Sequence, residues 1–355
     1  MEPTTKPVAL MFIKNLIKKT TGLTYLNTLG KVQLRNHAVI LMLHRVIKNK
    51  NQARLPHNNP LCIDTETFNK LIIFLKKHFE IVDLESAINS NHSLKPKLTL
   101  TFDDGWKDNI LHAYPILKKH NIPASVFLST DYIGENKGFW WESIAKKLWQ
   151  SPLSVNKEHL LKSLNKYSIS VNQNIFNTEK TNSKSLLILE FIQSLKDIEP
   201  QELNTLAERF FFDNTPDALD WSDVRLMEDS GLIKFGPHGA QHYILTGLDQ
   251  SACEHDIMRS HAALNEHCAR PLKIYCYPNG NNNSVIQSLL SNLGYTHALS
   301  TQSGLISTKQ NEYCLPRIDV SQKSAEQPGL LAWRIFQGSR KSTHTTQPQS
   351  LRSFI

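Results

Sequence analysis

The sequence predicts an α/β fold in which buried parallel strands alternate with helices, with a helical insertion over residues 142–216. Three observations support this prediction. Short, mostly apolar runs at 38–43, 98–102 and 123–129 are typical of parallel strands that are covered on both faces. Stretches with helical periodicity separate these runs, as in βαβ units. The 355 residues, 40% of them hydrophobic, suffice for a barrel-sized domain with additions.

The composition limits the expected partners. The net charge of +8 favours anionic neighbours such as acidic lipid surfaces or acidic glycans. The sequence contains no helix-turn-helix pattern, zinc finger or dense basic run, so we expect no nucleic-acid partner. The five cysteines include no C-x-x-C pair, which indicates reduced, packed thiols rather than a disulfide framework. These cysteines are Cys62, Cys253, Cys268, Cys276 and Cys314.

An N-terminal segment, residues 1–36, precedes the first strand. Apolar positions alternate with lysines over residues 8–35, which predicts a basic amphipathic helix and turn. Two interpretations stay open, namely peripheral contact with a membrane surface and packing against the main domain. The apolar run at 8–13 is too short to span a bilayer, and no convincing cleavage site follows it. We therefore expect a cytoplasmic protein, with any membrane contact at the inner face.

The elements before the insertion alternate in type. In chain order we predict a strand at 38–43, a polar loop at 46–62, a helix at 64–77, a short strand at 81–84, a polar loop at 89–96, a strand at 98–102, a helix at 106–120 and a strand at 123–129. Asp64 or Thr65 is the expected N-cap of the helix at 64–77. Pro115 is expected to bend or interrupt the helix at 106–120.

The elements after the insertion continue this alternation. In chain order we predict a helix at 221–231, a strand at 232–237, a helix at 249–267, a strand at 273–277, a helix at 284–293, and strands at 295–300 and 313–318. From about residue 338 the tail is rich in Ser, Thr, Gln and His. We predict disorder in that part of a C-terminal extension spanning 321–355.

Two adjacent carboxylates end the strand at 98–102. Asp103 and Asp104 precede Gly105, and neighbouring side chains on a strand point in different directions. One carboxylate can therefore bind a metal while the other faces a substrate, at the strand end where α/β folds collect functional groups. The alternative is an ordinary turn, because Asp-Gly is a common turn dipeptide.

A histidine pair follows the strand at 232–237. His238 and His242 are four residues apart, a spacing that suits two imidazoles on one metal, and the glycines around them favour a loop over a helix. Together with an aspartate from the end of another strand they would supply three ligands. Three protein ligands leave open positions for water and substrate, which is the arrangement of a catalytic metal site.

Three stretches together resemble one family. Residues 101–105 (TFDDG), 238–242 (HGAQH) and 275–280 (YCYPNG) are similar, in the right order, to motifs of the polysaccharide deacetylases, the NodB-homology family. The resemblance covers about residues 37–320 and is closest to the exopolysaccharide deacetylases. It implies a distorted (β/α) barrel with fewer than eight complete repeats. It also implies hydrolysis of N-acetyl groups, and sometimes O-acetyl groups, on sugars.

The resemblance assigns the metal site and the base. It implies that Asp104, His238 and His242 bind a divalent metal ion, with Zn²⁺ the first expectation, and that Asp103 is the general base. The oxyanion would rest on the metal and on the backbone N–H of Asn279. A divalent ion makes a bound water more acidic and polarises the carbonyl, which suits hydrolysis of an amide.

The resemblance assigns the general acid and the orientation of the base less directly than it assigns the metal site. Residues 42–46 (MLHRV) match a subgroup of the family in which the histidine that acts as general acid lies on the first strand. His44 is therefore predicted to protonate the leaving amine. Many members have an arginine in the third motif that orients the base, whereas this chain has Cys276. We hypothesise that Arg317 takes over that role.

Aromatic residues are candidates for sugar contacts. Phe139, Trp140 and Trp141 follow one another after a glycine, and a ring face can cover the apolar face of a pyranose. The alternative is that the cluster anchors the next segment to the barrel. Trp140 and Tyr277 are predicted to contact substrate.

The leading hypothesis is a metal-dependent enzyme that removes N-acetyl groups from a sugar during glycan or exopolysaccharide assembly. Its acetylated glycan substrate would be lipid-linked or nucleotide-linked if the protein is cytoplasmic. A second hypothesis is a metal-dependent amidohydrolase that acts on a non-sugar C–N bond. A third is a catalytically inactive barrel that binds glycans.

Overall fold

The computed structural model describes residues 5–49, 55, 61–89, 95–307 and 310–341. Its strands are β1 Ala38–Leu43, β2 Arg45–Ile47, β3 Cys62–Asp64, β4 Glu80–Ile81, β5 Lys97–Phe102, β6 Ala124–Leu128, β7 Ile233–Pro237, β8 Ile274–Cys276, β9 His297–Leu299 and β10 Ile318–Asp319. Its α-helices are α1 Thr5–Asn27, α2 Gly30–Gln33, α3 Thr65–His78, α4 Leu84–Ile88, α5 Tyr114–His120, α6 Trp140–Gln150, α7 Lys157–Asn165, α8 Asn182–Leu195, α9 Pro200–Phe211, α10 Trp221–Asp229, α11 Gln250–His267, α12 Ser284–Asn292, α13 Gln322–Glu326 and α14 Pro328–Lys341.

The strands pair in parallel around a barrel-like core. The main sheet has the order β10-β1-β5-β6-β7, and β8 pairs with β9. Two backbone hydrogen bonds join these parts: Leu272 N–H donates to Phe235 O at 2.8 Å, and Leu315 N–H donates to Ala298 O at 2.8 Å. The chain then enters β10, which pairs with β1. The predicted distorted (β/α) barrel is therefore confirmed.

The central strands bring the predicted site residues together. β1 is buried along its whole length and pairs in register with β5, Leu43 lying opposite Phe102. Asp103 N–H continues this ladder by donating to Leu43 O at 3.0 Å. The residues that follow the two strands, His44 and Asp103, therefore meet at the carboxyl rim of the barrel.

Several local predictions need correction. The stretch predicted as a polar loop at 46–62 contains parts of β2 and β3 at its ends, while residues 50–54 and 56–60 lie outside the described part of the chain. The strand predicted at 81–84 stops at Ile81, because Asp83 caps α4. In the predicted helix at 106–120, a π-helical segment, Asn109–Ala113, precedes α5.

The insertion is helical, as predicted. It consists of α6 to α9, and its apolar side chains form a common core with the barrel helices. The first of these helices begins at Trp140, two residues before the predicted boundary. The aromatic run belongs to this junction: Phe139 is fully buried and lies 4.5 Å from the Trp106 ring.

The two ends of the described chain pack against each other. A Cβ on Gly22 of α1 would lie 2.5 Å from the carbonyl oxygen of Gly329 on α14, so the two helix backbones are in direct contact. The Tyr25 hydroxyl donates to Ser339 Oγ at 3.1 Å. The C-terminal extension is thus helical through Lys341, three residues beyond the predicted start of the disordered tail, and residues 342–355 lie outside the described part. None of the helices in the described ranges has the length and apolar character needed to cross a bilayer.

Candidate active site

Three predicted metal ligands converge at the barrel rim. Asp104 follows β5, and His238 and His242 lie in the loop after β7. Asp104 Oδ1 lies 3.4 Å from His238 Nε2 and 3.3 Å from His242 Nε2. The backbone is turned to allow this, because Asp104 (φ 76°) and His242 (φ 57°) both adopt the left-handed region. Such strain at non-glycine residues is typical of functional sites.

Neighbouring groups hold each ligand in a defined orientation. Trp106 Nε1–H donates to Asp104 Oδ2 at 2.8 Å, which leaves Oδ1 to face the histidines. His238 Nδ1 lies 2.8 Å from Cys276 O, so a proton on Nδ1 leaves Nε2 free to ligate. The Trp141 ring packs against His242, with the ring centroids 4.5 Å apart.

The donor set fits a divalent cation such as Zn²⁺. Two ligand atoms about 2.1 Å from a zinc ion, at a tetrahedral angle, lie about 3.4 Å apart, which matches the separations given above. Burial would raise the pKa of Asp104, but its contacts with His238 and His242 outweigh this effect, and the pKa of Asp104 lies well below its ordinary value. The carboxylate is therefore ionised and ready to ligate. Several other divalent ions also suit a His₂Asp set.

The second carboxylate is held by Arg317. Arg317 donates from Nη1 to Asp103 Oδ1 at 2.7 Å and from Nη2 to Oδ2 at 2.8 Å. Both side chains are almost fully buried. Burial would raise the pKa of Asp103, but the charge of Arg317 outweighs it, so this pKa lies below its ordinary value. The pair gives Asp103 a fixed orientation and a negative charge.

The sequence resemblance places Cys276 at the position where many polysaccharide deacetylases have arginine. Its Sγ lies 3.6 Å from Asp103 Oδ1, and burial raises the pKa of the thiol. Asp103, His238 and Cys276 also form a second cluster of possible metal donors. Asp103 is already engaged by Arg317, however, so the Asp104 triad is the better metal site.

His44 directly follows β1 and lies at the same barrel rim as Asp103. Its Nε2 lies 4.0 Å from Asp103 Oδ2, and its side chain is only partly buried. Asn109 Nδ2–H donates to His44 O at 2.9 Å. The next residue, Arg45, forms an ion pair with Asp108 at 2.8 Å and lies over the Trp106 ring at 4.0 Å. These contacts hold the turn that presents His44.

The predicted substrate-contact residues have different surroundings. Asn279 follows β8 in the left-handed region (φ 56°) and lies in the turn beside the site. Tyr277 is fully buried, and its hydroxyl donates to Tyr313 O at 2.9 Å. Its ring therefore has no exposed surface with which to contact a substrate. Trp140 is 9% exposed and packs edge-on against Trp141, as expected if the aromatic run anchors the insertion.

The sequence does not predict the contacts of three residues near the site. Trp141 supports His242, as described above. Asp256 of α11 accepts from Ala240 N–H at 3.0 Å and from Gln241 N–H at 3.1 Å, within the loop that carries both histidines. Lys196, after α8, donates to Asn279 Oδ1 at 3.0 Å. No local motif marks Asp256 or Lys196, because their contacts with the site arise from the packing of α11 and of the insertion.

Comparison with known proteins identifies the family. A sequence model described as polysaccharide deacetylase matches residues 90–298, more than half of the chain. The chain therefore belongs to the polysaccharide deacetylase family, whose members are deacetylase enzymes. The matched range includes the three metal-ligand candidates and Asp103, whereas His44 and Arg317 lie outside it.

Individual relatives agree with this assignment. YxkH of Bacillus subtilis (strain 168), provisionally named a polysaccharide deacetylase, is 30% identical over 122 residues, which are 31% of this chain and 43% of that protein. The match thus spans less than half of the relative. The structure of IcaB from Ammonifex degensii has a TM-score of 0.51 at 17% identity, covering 84% of this chain and 97% of that one. Streptococcus pyogenes deacetylase PplD, in complex with acetate, has a TM-score of 0.53 at 16% identity, covering 83% and 96%. These structures share the barrel fold.

Proposed function

We propose that this protein is a metal-dependent deacetylase that removes N-acetyl groups from a sugar during glycan or exopolysaccharide assembly. The observation that carries the proposal is the pairing of two sites at one barrel rim. One is the triad of Asp104, His238 and His242, and the other is the buried Asp103–Arg317 pair. Membership of the polysaccharide deacetylase family supports the same chemistry.

The proposed mechanism divides the proton transfers between two residues. A divalent ion, when bound at the triad, polarises the acetyl carbonyl and makes water acidic enough to lose a proton near neutral pH. Asp103, kept ionised by Arg317, accepts the proton of the attacking water. His44, next to Asp103, protonates the amine as it leaves. The backbone N–H of Asn279 stabilises the negative charge on the carbonyl oxygen.

Acetate release tests this proposal. The full chain loaded with Zn²⁺ should release acetate from N-acetylated oligosaccharides, and Asp103→Asn should lower the rate at least about 100-fold, because the base is lost. Zinc should also raise the melting temperature of the wild type, and much less that of Asp104→Asn, because binding to the folded state alone stabilises it.

Absence of acetate release by zinc-loaded protein from every sugar tested would contradict the proposal. The triad would then be assigned to a non-sugar C–N bond, which is the second candidate. Unchanged activity in Asp103→Asn would contradict the assignment of the base. A barrel that only binds glycans is the weaker alternative, because the sequence contains each side chain that the proposed mechanism needs.

We also propose that α1 contacts an anionic lipid surface at the cytoplasmic face of the membrane. Its first half combines the exposed lysines Lys14 and Lys18 with exposed apolar residues, which suits a surface of acidic headgroups. All five cysteines are free, in keeping with a reducing compartment. The exposed apolar residues are Met11, Phe12, Ile13, Leu16 and Ile17.

Vesicle sedimentation tests the lipid contact. Vesicles containing phosphatidylglycerol should retain the protein, and the double change of Phe12 and Leu16 to serine should reduce the retained fraction. Leu153→Ser, at an exposed position of the insertion, is the matched control. Equal retention on neutral phosphatidylcholine vesicles, or no effect of the double change, would contradict the proposal.

A further inference from the structure

The helical insertion places a lysine at the rim of the candidate active site. Lys196 is the residue that ends α8, and its Nζ donates to Asn279 Oδ1 at 3.0 Å. Leu195 and Ile198, on either side of it in the chain, are buried and fix this stretch against the core. The side chain of Lys196 is half-buried. Its position is therefore set by packing and does not depend on a flexible loop.

Among the described residues Lys196 forms no ion pair with a carboxylate, a feature that it shares with the buried Lys184, whose Nζ donates to Asn177 O. The hydrogen bond that Lys196 makes within the described residues goes to a neutral amide. Three other part-buried lysines each pair with carboxylates. These pairs are Lys107 with Asp220 and Asp223, Lys146 with Asp213 and Asp217, and Lys234 with Asp83 and Glu85. Burying a charge without an opposite partner is costly, so an unmatched cation at a site calls for an anionic ligand.

The electrostatics of the rim agree with this view. Burial lowers the pKa of Lys196 to about 8, although the charge of Asp104 acts in the opposite direction. On the other side of the rim, Arg317 and Asp103 neutralise each other. With a divalent ion at the triad, Lys196 would add to a positive potential that favours acidic substrates.

We propose that Lys196 binds an acidic group of the substrate, a carboxylate or a phosphate close to the sugar that carries the N-acetyl group. Lys196 is thus a specificity residue supplied by the insertion, and the substrate class is an acidic N-acetylated glycan or glycosyl phosphate. This inference rests on the proposed deacetylase function. It goes beyond that function because the metal triad and Asp103 act on the acetamido group, which neutral and acidic sugars share.

The test compares three N-acetylated substrates with the zinc-loaded full chain. Tetra-N-acetylated chitotetraose is neutral, a hyaluronan tetrasaccharide carries carboxylates, and UDP-N-acetylglucosamine carries phosphates. In Lys196→Met, the ratio of kcat/KM for one acidic substrate to kcat/KM for chitotetraose should fall about 10- to 100-fold, the loss expected for one charge-assisted hydrogen bond. Lys196→Arg should restore most of the ratio, and Lys162→Met, an exposed position of α7, is the control. The substrate with the larger loss identifies the acidic group as carboxylate or phosphate.

Equilibrium binding of the same three compounds, with and without zinc, separates this inference from the deacetylase proposal. At low salt the wild type should bind an acidic compound more tightly than chitotetraose, and Lys196→Met should abolish that preference whether or not acetate is released. A preference that survives in Lys196→Met, or a wild type without any preference, would overturn the inference. An equal loss of kcat/KM on all three substrates would also overturn it, because Lys196 would then act only by positioning Asn279.

Discussion

At the scale of single residues, the environment of Asp103 determines its proposed role as a base. A carboxylate buried in the barrel would ordinarily become harder to ionise. The two hydrogen bonds from Arg317 reverse this tendency, and Arg317 is itself fixed by donation from Nε to Ser300 O at 2.9 Å. Arg317 thus lies next to the proposed base, as the sequence hypothesis requires.

Removal of the Arg317 charge should change the pH dependence of activity. In Arg317→Gln the pKa of Asp103 should rise, because burial is then opposed by less positive charge, and the acidic limb of kcat/KM should move to higher pH. Arg317→Lys should show a smaller shift. The measurement is the pH profile of acetate release. The melting temperature should fall as well, because loss of one partner of a buried pair costs about 3–5 kcal/mol.

A specific pattern of results would exclude this role. If Arg317→Ala kept full activity and an unchanged acidic limb while His44→Ala lost activity, Arg317 would not orient the base. His44→Ala should instead reduce kcat and leave the acidic limb in place, because the acid acts on the leaving amine.

The sequence predicts some of these residues and misses others for a physical reason. The candidate metal ligands Asp104, His238 and His242 lie in short motifs at strand ends, which residue type and spacing make recognisable in the sequence. Lys196 and Trp141 lie in an insertion whose packing decides what they touch, and no local pattern encodes that packing.

At the scale of elements, α11 controls the loop that holds both histidines. Asp256 uses both carboxylate oxygens to accept from Ala240 and Gln241. Burial raises the pKa of Asp256 to about 6, whereas an unfolded aspartate titrates near 4. The folded protein therefore binds an additional proton between these pH values, and the stability contributed by Asp256 decreases as the pH rises through this range.

Asp256→Asn should reveal this dependence. The free-energy difference in unfolding between wild type and variant should be largest at or below about pH 4 and should decrease by up to about 3 kcal/mol by pH 7, since one pKa unit corresponds to about 1.4 kcal/mol. Urea unfolding of the metal-free protein at several pH values measures it. The amide cannot accept at both positions, so zinc affinity should also fall about 10-fold. Glu254→Gln on the same helix is the control, and a pH-independent difference would contradict the argument.

Long, fully buried elements are predicted from the sequence more reliably than short ones. The long apolar runs of β1, β5 and β6 are predicted correctly, because strands covered on both faces need apolar side chains at nearly every position. The short strands β2 and β3 are missed, since three residues carry too little pattern. The π-helical segment before α5 is missed as well, because only a small shift of the hydrogen-bond register separates it from an α-helix.

At the scale of the whole molecule, the pairing of α1 with α14 joins the two ends of the described chain. The contact depends on glycines, because Gly22 and Gly329 let the helix backbones approach closely. A methyl group on Gly22 would collide with backbone atoms of Gly329 and Trp333. The interface thus tolerates no side chain at this point without moving one of the helices.

Gly22→Ala should destabilise the protein although alanine is the better helix former. The helix interior gains about 1 kcal/mol from the change, but the overlap with backbone should cost more by separating the helices. The melting temperature should fall by several degrees, and protease should cleave α1 more rapidly. Thr20→Ala, exposed on the same helix, should have little effect. A higher melting temperature in Gly22→Ala would contradict this prediction, because the two helices would then accommodate the methyl group without loss of stability.

The closure of the chain upon itself also has a consequence for biosynthesis. Tyr25 and Ser339, which form a hydrogen bond, are 314 residues apart in the chain. The strand β1 likewise pairs with β10, which is synthesised much later. At about 5–20 residues per second, tens of seconds pass on the ribosome between the synthesis of α1 and that of its partner. During that interval the apolar side of α1 has no native cover. The nascent helix is therefore a natural substrate for chaperones, and closure of the barrel is expected to be the late, slow step of folding.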